Sequence, residues 1–235
     1  METFINQQIA SLWDRNLMTR AEDLEQGTDL TYTQVIKPWV LSEIRLPANG
    51  GRRILDIGCG CGYLTNAVYE ITGALITGID ISPRSVAYAQ KKYPTLFFEC
   101  RDLYQDAFEV RYDTALAVMV LNNMPDLAHF FPIVFDALNP GGRLVAVIPH
   151  PVFWTKKHLQ DNSFSYMREG CYSVPFSTKG RSDYEAEILY FHRPLSIYLS
   201  HIVETGFRIE RICELCETEA SQNPDLLGIV AQKMD

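Results

Sequence analysis

Residues 54–65 read ILDIGCGCGYLT, a short apolar run that ends at Asp56 and passes through three closely spaced glycines. The apolar run predicts a buried strand, and the residues after the glycines predict a helix. Glycines at this junction let the chain turn tightly, and they let a ligand approach the backbone without Cβ atoms in the way. The first N–H groups of the helix can then bind an electronegative part of that ligand. The stretch predicts the ligand-binding turn of an α/β domain.

Short apolar runs alternate with amphipathic stretches on both sides of this turn. RILDIG is followed by TNAVYEIT, ALITGID, SVAYAQKKY and TLFFEC, a β-α-β-α-β series that predicts a parallel, doubly wound sheet. Next come a strand in TALAVMVL, a helix through LAHFFPIVFDALNP that stops at Gly141 and Gly142, and a strand in RLVAVIP. A helix in LSIYLSHIVETG precedes two final strands, FRIERICE and LLGIVAQKM, which predict an antiparallel hairpin.

The chain divides into three parts by pattern. Residues 1–48 have helical periodicity and predict an N-terminal helical cover. Residues 49–235 hold the ligand-binding domain. Within it, residues 150–193 interrupt the alternation and are rich in aromatic residues, so we expect an inserted lid there that binds a second substrate.

Composition narrows the class of partner. The 235 residues are 47% hydrophobic and carry a net charge of -8 that is spread along the chain, which disfavours a nucleic-acid surface. No apolar stretch reaches the roughly 18 to 20 residues that span a bilayer, and the first residues lack a basic, apolar leader, so we expect a cytoplasmic protein without membrane contact. Cys213 and Cys216 have C-x-x-C spacing, but without a second pair they do not predict a metal site.

Asp56 separates two cofactor classes that use glycine-rich turns. A carboxylate at the strand end repels a pyrophosphate, whereas it accepts hydrogen bonds from the ammonium group of a methionine moiety. The glycine spacing is also G-C-G-C-G, not the G-x-G-x-x-G of dinucleotide enzymes. Asp80 ends the next strand, where a carboxylate binds ribose hydroxyls. Asp102 follows the third strand, where it can accept a hydrogen bond from an adenine amino group.

In this order the motifs resemble class I S-adenosylmethionine-dependent methyltransferases, and among them the small-molecule "type 11" methyltransferase-domain group. The resemblance covers about residues 50–150 and implies a Rossmann-like, seven-stranded, mostly parallel sheet with its last strand antiparallel. It departs from many relatives at Asn122 and Asn123, where they carry histidines. The cofactor-binding residues that it implies are Asp56, Gly58, Cys59, Gly60, Gly62, Asp80, Ile81, Asp102, Leu103, Met119, Val120, Leu121 and, more loosely, Tyr32.

The expected reaction moves a methyl group from S-adenosylmethionine to a small-molecule acceptor, at a hydroxyl or carboxylate oxygen, without a metal ion. His150 follows the fifth strand directly and is the candidate general base. The alternatives are a non-catalytic S-adenosylmethionine-binding partner subunit and an NAD-dependent oxidoreductase. The candidate acceptor-binding residues are Tyr166, Tyr172, Tyr184, Tyr190, His192 and Arg193.

Overall fold

A seven-stranded sheet forms the centre of the computed structural model, which describes residues 2–46, 52–105, 107–159, 164–216 and 222–234. The strand order is β3-β2-β1-β4-β5-β9-β8. All neighbours are parallel except those of β9, which runs antiparallel to β5 and β8. The strands are β1 (Arg53–Ile57), β2 (Leu75–Asp80), β3 (Phe97–Cys100), β4 (Tyr112–Val118), β5 (Leu138–Pro149), β8 (Phe207–Leu215) and β9 (Leu226–Lys233). The predicted doubly wound fold and its antiparallel hairpin are confirmed.

Helices cover both faces of this sheet, as parallel strands with apolar side chains on both faces require. A single π-helical turn, Tyr32–Ile36, and a single 3₁₀ turn, Leu121–Asn123, add to them. The α-helices are α1 (Glu2–Gln26), α2 (Lys37–Glu43), α3 (Tyr63–Thr72), α4 (Pro83–Lys92), α5 (Leu127–Ala137), α6 (Phe153–His158) and α7 (Leu195–Glu204).

Side chains of the central strands alternate between two apolar layers, as the period of a strand dictates. In β5, Leu144, Ala146 and Ile148 pack toward α5 and α7, whereas Val145 and Val147 pack on the other face with α2 and α3. These five residues are at most 1% exposed. Both layers are therefore dry, and ligands are left to bind at the strand ends.

The helix before β5 ends earlier than predicted. We expected it to continue to the glycines at 141 and 142, but α5 stops at Ala137, and Leu138 already has extended backbone angles. Lys233 on β9 donates hydrogen bonds to the carbonyl oxygens of Phe135 and Leu138, at 2.7 and 3.0 Å. These bonds satisfy carbonyl groups that a helix end leaves free, so a distant strand sets the end of this helix.

The predicted insertion contains α6 and a two-stranded antiparallel sheet of β6 (Gly170–Pro175) and β7 (Glu187–His192). The segment between these two strands is held against α1. Asp23 on α1 is fully buried and accepts hydrogen bonds from the hydroxyl groups of Thr178 and Tyr184, at 2.8 and 2.6 Å. Helix α1 and the inserted hairpin therefore close over the sheet as one layer.

Helix α2 packs on β9 at a position without a side chain. A Cβ atom added to Gly228 would lie 2.5 Å from the Trp39 ring. We expect Gly228→Ala to lower the free energy of unfolding by about 1 to 3 kcal/mol, because the ring has to move out of a packed layer. Urea unfolding measures this loss. In Gly228→Ala/Trp39→Leu the clash is absent, so the double variant should lose less than the sum of the single losses. Additive losses would contradict the packing argument.

Candidate functional site

A cavity of about 490 Å³ opens where the carboxyl ends of β1, β2 and β4 meet. The strand order reverses between β1 and β4, and open α/β sheets bind ligands at such switch points. Helix α1 and the inserted hairpin form the opposite wall. The cavity therefore has one wall from the sheet and one wall from the layer that closes over it.

The three glycines of the turn have different surroundings. Their φ angles are 71°, 53° and 81° at Gly58, Gly60 and Gly62, in the left-handed region that favours glycine. A Cβ atom added to Gly58 would lie 2.2 Å from Val120. A Cβ atom added to Gly60 would have no other atom within 4 Å, because Gly60 opens to the cavity. Gly62 packs against Phe98 at the start of α3 and does not line the cavity, so its predicted ligand contact stays a prediction.

Asp56 ends β1 in a buried position, 2% exposed, and lines the cavity. The Thr65 hydroxyl donates a 2.6 Å hydrogen bond to its Oδ2. Burial raises the pKa of Asp56 to about 7, the Thr65 hydrogen bond opposes the rise, and the nearby Asp80 carboxylate adds to it. A cationic group bound beside Asp56 would stabilise its ionised form. The site is thus suited to a ligand that carries an ammonium group.

Asp80 ends β2 and also lines the cavity. The backbone N–H groups of Gly60 and Ser82 donate to its two carboxylate oxygens, each at 2.8 Å. Burial raises the pKa of Asp80, and these hydrogen bonds act in the opposite direction. Each carboxylate oxygen can accept more than one hydrogen bond. Asp80 is therefore fixed in orientation and still able to accept hydrogen bonds from the two hydroxyls of a ribose.

Asp102 lines the cavity beyond β3, beside Leu103 and near a residue that the sequence did not single out. Asn6 on α1 donates a 2.9 Å hydrogen bond to the Asp102 carboxylate. Asn6 is 5% exposed and lines the same cavity. The helical cover therefore reaches the end of the cavity where adenine is expected, and Asn6 positions the predicted adenine contact.

The segment after β4 forms the wall that faces the glycine turn. Met119 has a φ of 59°, in a region that residues with side chains rarely adopt, and donates its N–H to the Val147 carbonyl at 2.7 Å. This turn places Met119 and Val120 on the cavity. Leu121 is fully buried in the apolar layer under α5 and does not line the cavity, so the structure does not place it beside the other predicted cofactor contacts.

Tyr32 closes the cavity above Asp56. It is 8% exposed, and its hydroxyl has no hydrogen-bond partner among the described residues. Burial raises the pKa of this phenol, and the Asp56 carboxylate adds to the rise. The Arg20 guanidinium lies 5.8 Å from the Tyr32 ring centroid and makes a 2.6 Å ion pair with Asp29. Arg20 lines the cavity and was not predicted, because nothing in its helical pattern separates it from a surface arginine.

Of the six predicted acceptor-binding residues, Tyr190 lines the cavity and the other five do not. Tyr172 packs in the cluster behind the hairpin, and Tyr184 donates to Asp23. The Tyr166 hydroxyl accepts a hydrogen bond from the Leu195 N–H, and the Tyr166 carbonyl bonds the His192 ring at 2.9 Å. These side chains make contacts within the chain, and their predicted contacts with an acceptor stay predictions.

Arg193 supports the cavity wall from behind. It is 5% exposed and donates 2.8 Å hydrogen bonds from Nη2 to the carbonyl oxygens of Met124 and Pro125, both of which line the cavity. Its predicted contact with the acceptor stays a prediction, because the contacts that the structure shows are with the chain itself. The guanidinium fixes the path of the segment that follows β4.

His150 does not line the cavity. Its Nε2 lies 3.4 Å from a Glu214 oxygen on β8, and its Nδ1 accepts the Val152 N–H at 3.3 Å. Burial lowers the pKa of His150, and Glu214 opposes this. His150 therefore lies outside the cavity, because the residue after β5 turns toward the edge strand β8, and its role as general base stays a prediction.

His158 is the imidazole on the cavity wall among the described residues. Its ring stacks on Trp154 with centroids 4.5 Å apart, and Trp154 lies 4.4 Å from Tyr190. Sequence patterns gave His158 no role, since no spacing marks it. Several apolar residues complete this side of the cavity, namely Trp13, Leu17, Pro175, Phe176 and Ile188.

Comparisons with known proteins agree with this fold and site. Residues 48–195 match the family model described as a methyltransferase domain. This match covers more than half of the chain, so the chain belongs to that family, and the class expected from the sequence is confirmed. A solved S-adenosylmethionine-dependent methyltransferase from Mesorhizobium loti is 26% identical, with a TM-score of 0.63 over 84% of this chain and 98% of that one. One from Methanosarcina mazei, at 22% identity and a TM-score of 0.62 over 84% and 97% of the two chains, shares the fold.

Sequence relatives include enzymes named for small-molecule methylation. Trans-aconitate 2-methyltransferase of Methylobacterium nodulans is 31% identical over 57% of this chain and 50% of its own length. Demethylmenaquinone methyltransferase of Tropheryma whipplei is 34% identical over 45% of this chain and 46% of its own length. The chain thus spans about half the length of these curated relatives.

The described part of the chain contains neither a metal-ligand cluster nor a membrane-spanning helix. No group of three or more His, Cys, Asp or Glu side chains is placed to hold a metal ion there. None of the helices described is long and apolar enough to cross a membrane. The expected cytoplasmic location and the expected lack of a nucleic-acid partner stay predictions.

The raised pKa of Asp56 makes stability depend on pH in the absence of ligand. The folded chain keeps the proton up to about pH 7, whereas the unfolded chain loses it near 3.8, the ordinary pKa of an aspartate. The folded state therefore binds more protons in this window, and stability falls as pH rises through it, by up to about 1.4 kcal/mol per unit. Asp56→Asn removes this dependence. We expect its stability relative to wild type to rise between about pH 4 and 7 and to level off above pH 7.

Urea unfolding at several pH values measures this difference. Glu70→Gln alters an exposed carboxyl group on α3 and serves as the control. A stability difference between Asp56→Asn and wild type that stays constant with pH would contradict the assigned pKa shift.

Proposed function

We propose that this chain transfers a methyl group from S-adenosylmethionine to an oxygen, hydroxyl or carboxylate, of a small-molecule metabolite or natural product. One observation carries the proposal. Three aspartates, at the ends of β1 and β2 and beyond β3, line one cavity beside the open glycine turn. Their order matches the three polar parts of this cofactor, and the family membership supports the same reaction.

The residues fit this cofactor by their chemistry. Asp56 would bind the ammonium group, Asp80 the ribose hydroxyls and Asp102 the adenine amino group. The Tyr32 hydroxyl lacks a partner among the described residues and supplies a further polar contact at the methionine end. When bound, S-adenosylmethionine supplies an electrophilic methyl group on a sulfonium. The chain supplies position and a water-poor wall, and holding two reactants in place can lower a barrier by roughly 7 to 11 kcal/mol.

The acceptor would bind between the segment after β4 and the inserted hairpin. Cofactor contacts run from β1 toward β3, so the remaining space lies on the β4 side of the switch point. Its walls are largely apolar and aromatic, with Trp13, Trp154 and Tyr190 among them. The names of the sequence relatives also favour small-molecule acceptors. A hydroxyl acceptor must lose a proton. His158 lies on this wall and would act as the general base that takes the proton.

Calorimetric titration tests the cofactor. We expect micromolar binding of S-adenosylmethionine and S-adenosylhomocysteine and none of NAD. Asp80→Ala should weaken both by tenfold or more, because hydrogen bonds to a charged group contribute about 1.5 to 3 kcal/mol. Asp113→Ala, a carboxylate near the opposite end of β1, is the matched control. Binding of NAD alone would refute the proposal and favour an oxidoreductase. Cofactor binding without acceptor-dependent formation of S-adenosylhomocysteine, across a broad metabolite screen, would favour a non-catalytic partner subunit.

A pair of histidine variants tests the proton acceptor. With hydroxylated aromatic acceptors, His158→Ala should lower kcat by about 10²- to 10⁴-fold, the usual contribution of a general base. His150→Ala should change kcat little, because its ring faces Glu214. Turnover rates from S-adenosylhomocysteine formation measure both. A larger loss in His150→Ala than in His158→Ala would return the base to the residue first predicted.

A further inference from the structure

Asn122 lies in the cavity wall with one side of its amide unused. It belongs to the single 3₁₀ turn after β4 and is 3% exposed. Its Oδ1 is buried and has no hydrogen-bond partner among the described residues, while the residue lines the cavity. An unpaired buried acceptor costs free energy, so a ligand that supplies a donor there gains affinity.

A chain of hydrogen bonds fixes which side of the amide is unused. The Leu189 carbonyl on β7 can only accept, so the Asn123 side chain must present Nδ2 to it, at 2.7 Å. The Asn123 Oδ1 then faces Asn122 and accepts from its Nδ2 at 3.2 Å. Asn122 is left with Oδ1 on its other side. The Leu189 carbonyl, acting through Asn123, thereby determines that the unused polar atom of Asn122 is its oxygen.

The support of this relay is rigid. Arg193 binds the carbonyl oxygens of Met124 and Pro125, directly after the turn. Strand β7 holds Asn123 before them. Because both anchors come from the inserted segment and its end, the orientation of Asn122 is set before any ligand binds, and little entropy is lost on binding.

The unused Oδ1 of Asn122 accepts hydrogen bonds and cannot donate them. It therefore favours methyl-acceptor molecules that carry an N–H or O–H donor over molecules that carry a negative charge. A neutral hydroxyl or aromatic amine N–H can donate to it, whereas a carboxylate brings another oxygen lone pair and is repelled at this oxygen. The charges on the cavity wall are mixed, because Arg20, Arg101 and Lys179 line it together with Asp56, Asp80 and Asp102, so the discrimination comes from this local contact. The aromatic row of Tyr190, Trp154 and His158 favours a flat apolar body.

We propose that Asn122 is the specificity-determining residue of the acceptor site, and that it selects flat, apolar acceptors with a neutral hydroxyl or aromatic amine N–H donor over carboxylates. The inference rests on the proposed methyl transfer and narrows it, since that function leaves hydroxyl and carboxylate acceptors open. Asn122 acts by binding and orienting the donor group and takes no proton from it.

Binding of four matched probes tests the inference. Protein saturated with S-adenosylhomocysteine is titrated with 2-naphthol, 2-naphthylamine, 2-methoxynaphthalene and 2-naphthoate, which share one ring system. We expect 2-naphthol or 2-naphthylamine to bind at least fivefold more tightly than the methoxy and carboxylate probes, in line with one net hydrogen bond. The comparison of these two also tells a hydroxyl preference from an N–H preference.

Variants assign the preference to the relay. Asn122→Ala should remove the preference for donors, and Asn122→Asp, which keeps an acceptor, should retain it. Asn123→Ala frees the Asn122 amide to rotate, so discrimination against 2-naphthoate should fall while 2-naphthol still binds. Asn66→Ala, the same change on the outer face of α3, should behave like wild type. A merely structural role for Asn122 predicts equal losses for all probes.

The outcomes separate the two proposals. If S-adenosylhomocysteine fails to bind, the proposed function fails and the inference falls with it. If it binds but 2-naphthoate binds as tightly as the donor probes, or no donor probe binds, the inference alone is overturned. An unchanged preference in Asn122→Ala, with the melting temperature of each variant checked, would also overturn it.

Discussion

The buried carboxyl group of Asp56 is the constraint on which the site depends. It lies at the end of a central strand, receives the Thr65 hydroxyl, and has the Asp80 carboxylate nearby. Burial without a cation beside it raises its pKa to about 7. Such a position is unfavourable for folding, and sites of this kind persist where function needs them. The glycine turn around it must stay open enough for a cationic ligand group to reach the carboxylate.

Two separate parts of the chain form the wall that covers this site. Helix α1 comes from one end of the sequence and the inserted hairpin from the other half, and they meet at Asp23 and Arg20. Asn6 on the same helix reaches Asp102, and Trp13 on this helix also lines the cavity. These polar contacts join α1 and the inserted hairpin into the wall opposite the sheet.

The sequence predicted the sheet and brought Asp56, Asp80 and Asp102 to one cavity, because there the signal is local. Strand patterns, glycines and strand-end aspartates follow one another within short stretches, and parallel strands bring their carboxyl ends to one edge. Leu121 and Gly62 lie outside the cavity lining, because the apolar layer under α5 buries Leu121 and Phe98 packs against Gly62, and neither contact is visible in the local pattern. The end of α5 was missed because Lys233, from the last strand, determines it.

The acceptor side resisted prediction for a different physical reason. An inserted segment with many aromatic residues must first build its own small core, so Tyr172, Tyr166 and His192 pack within the segment. Other residues of the segment, such as His158 and Ile188, line the cavity. No periodicity distinguishes these two groups. The segment after β4 carries the same lesson. Leu189 and Arg193, which are far away in sequence, orient the polar side chains and the backbone of this segment. Tertiary contacts therefore determine the chemistry of this wall, and relatives with the same cofactor motifs can differ in it.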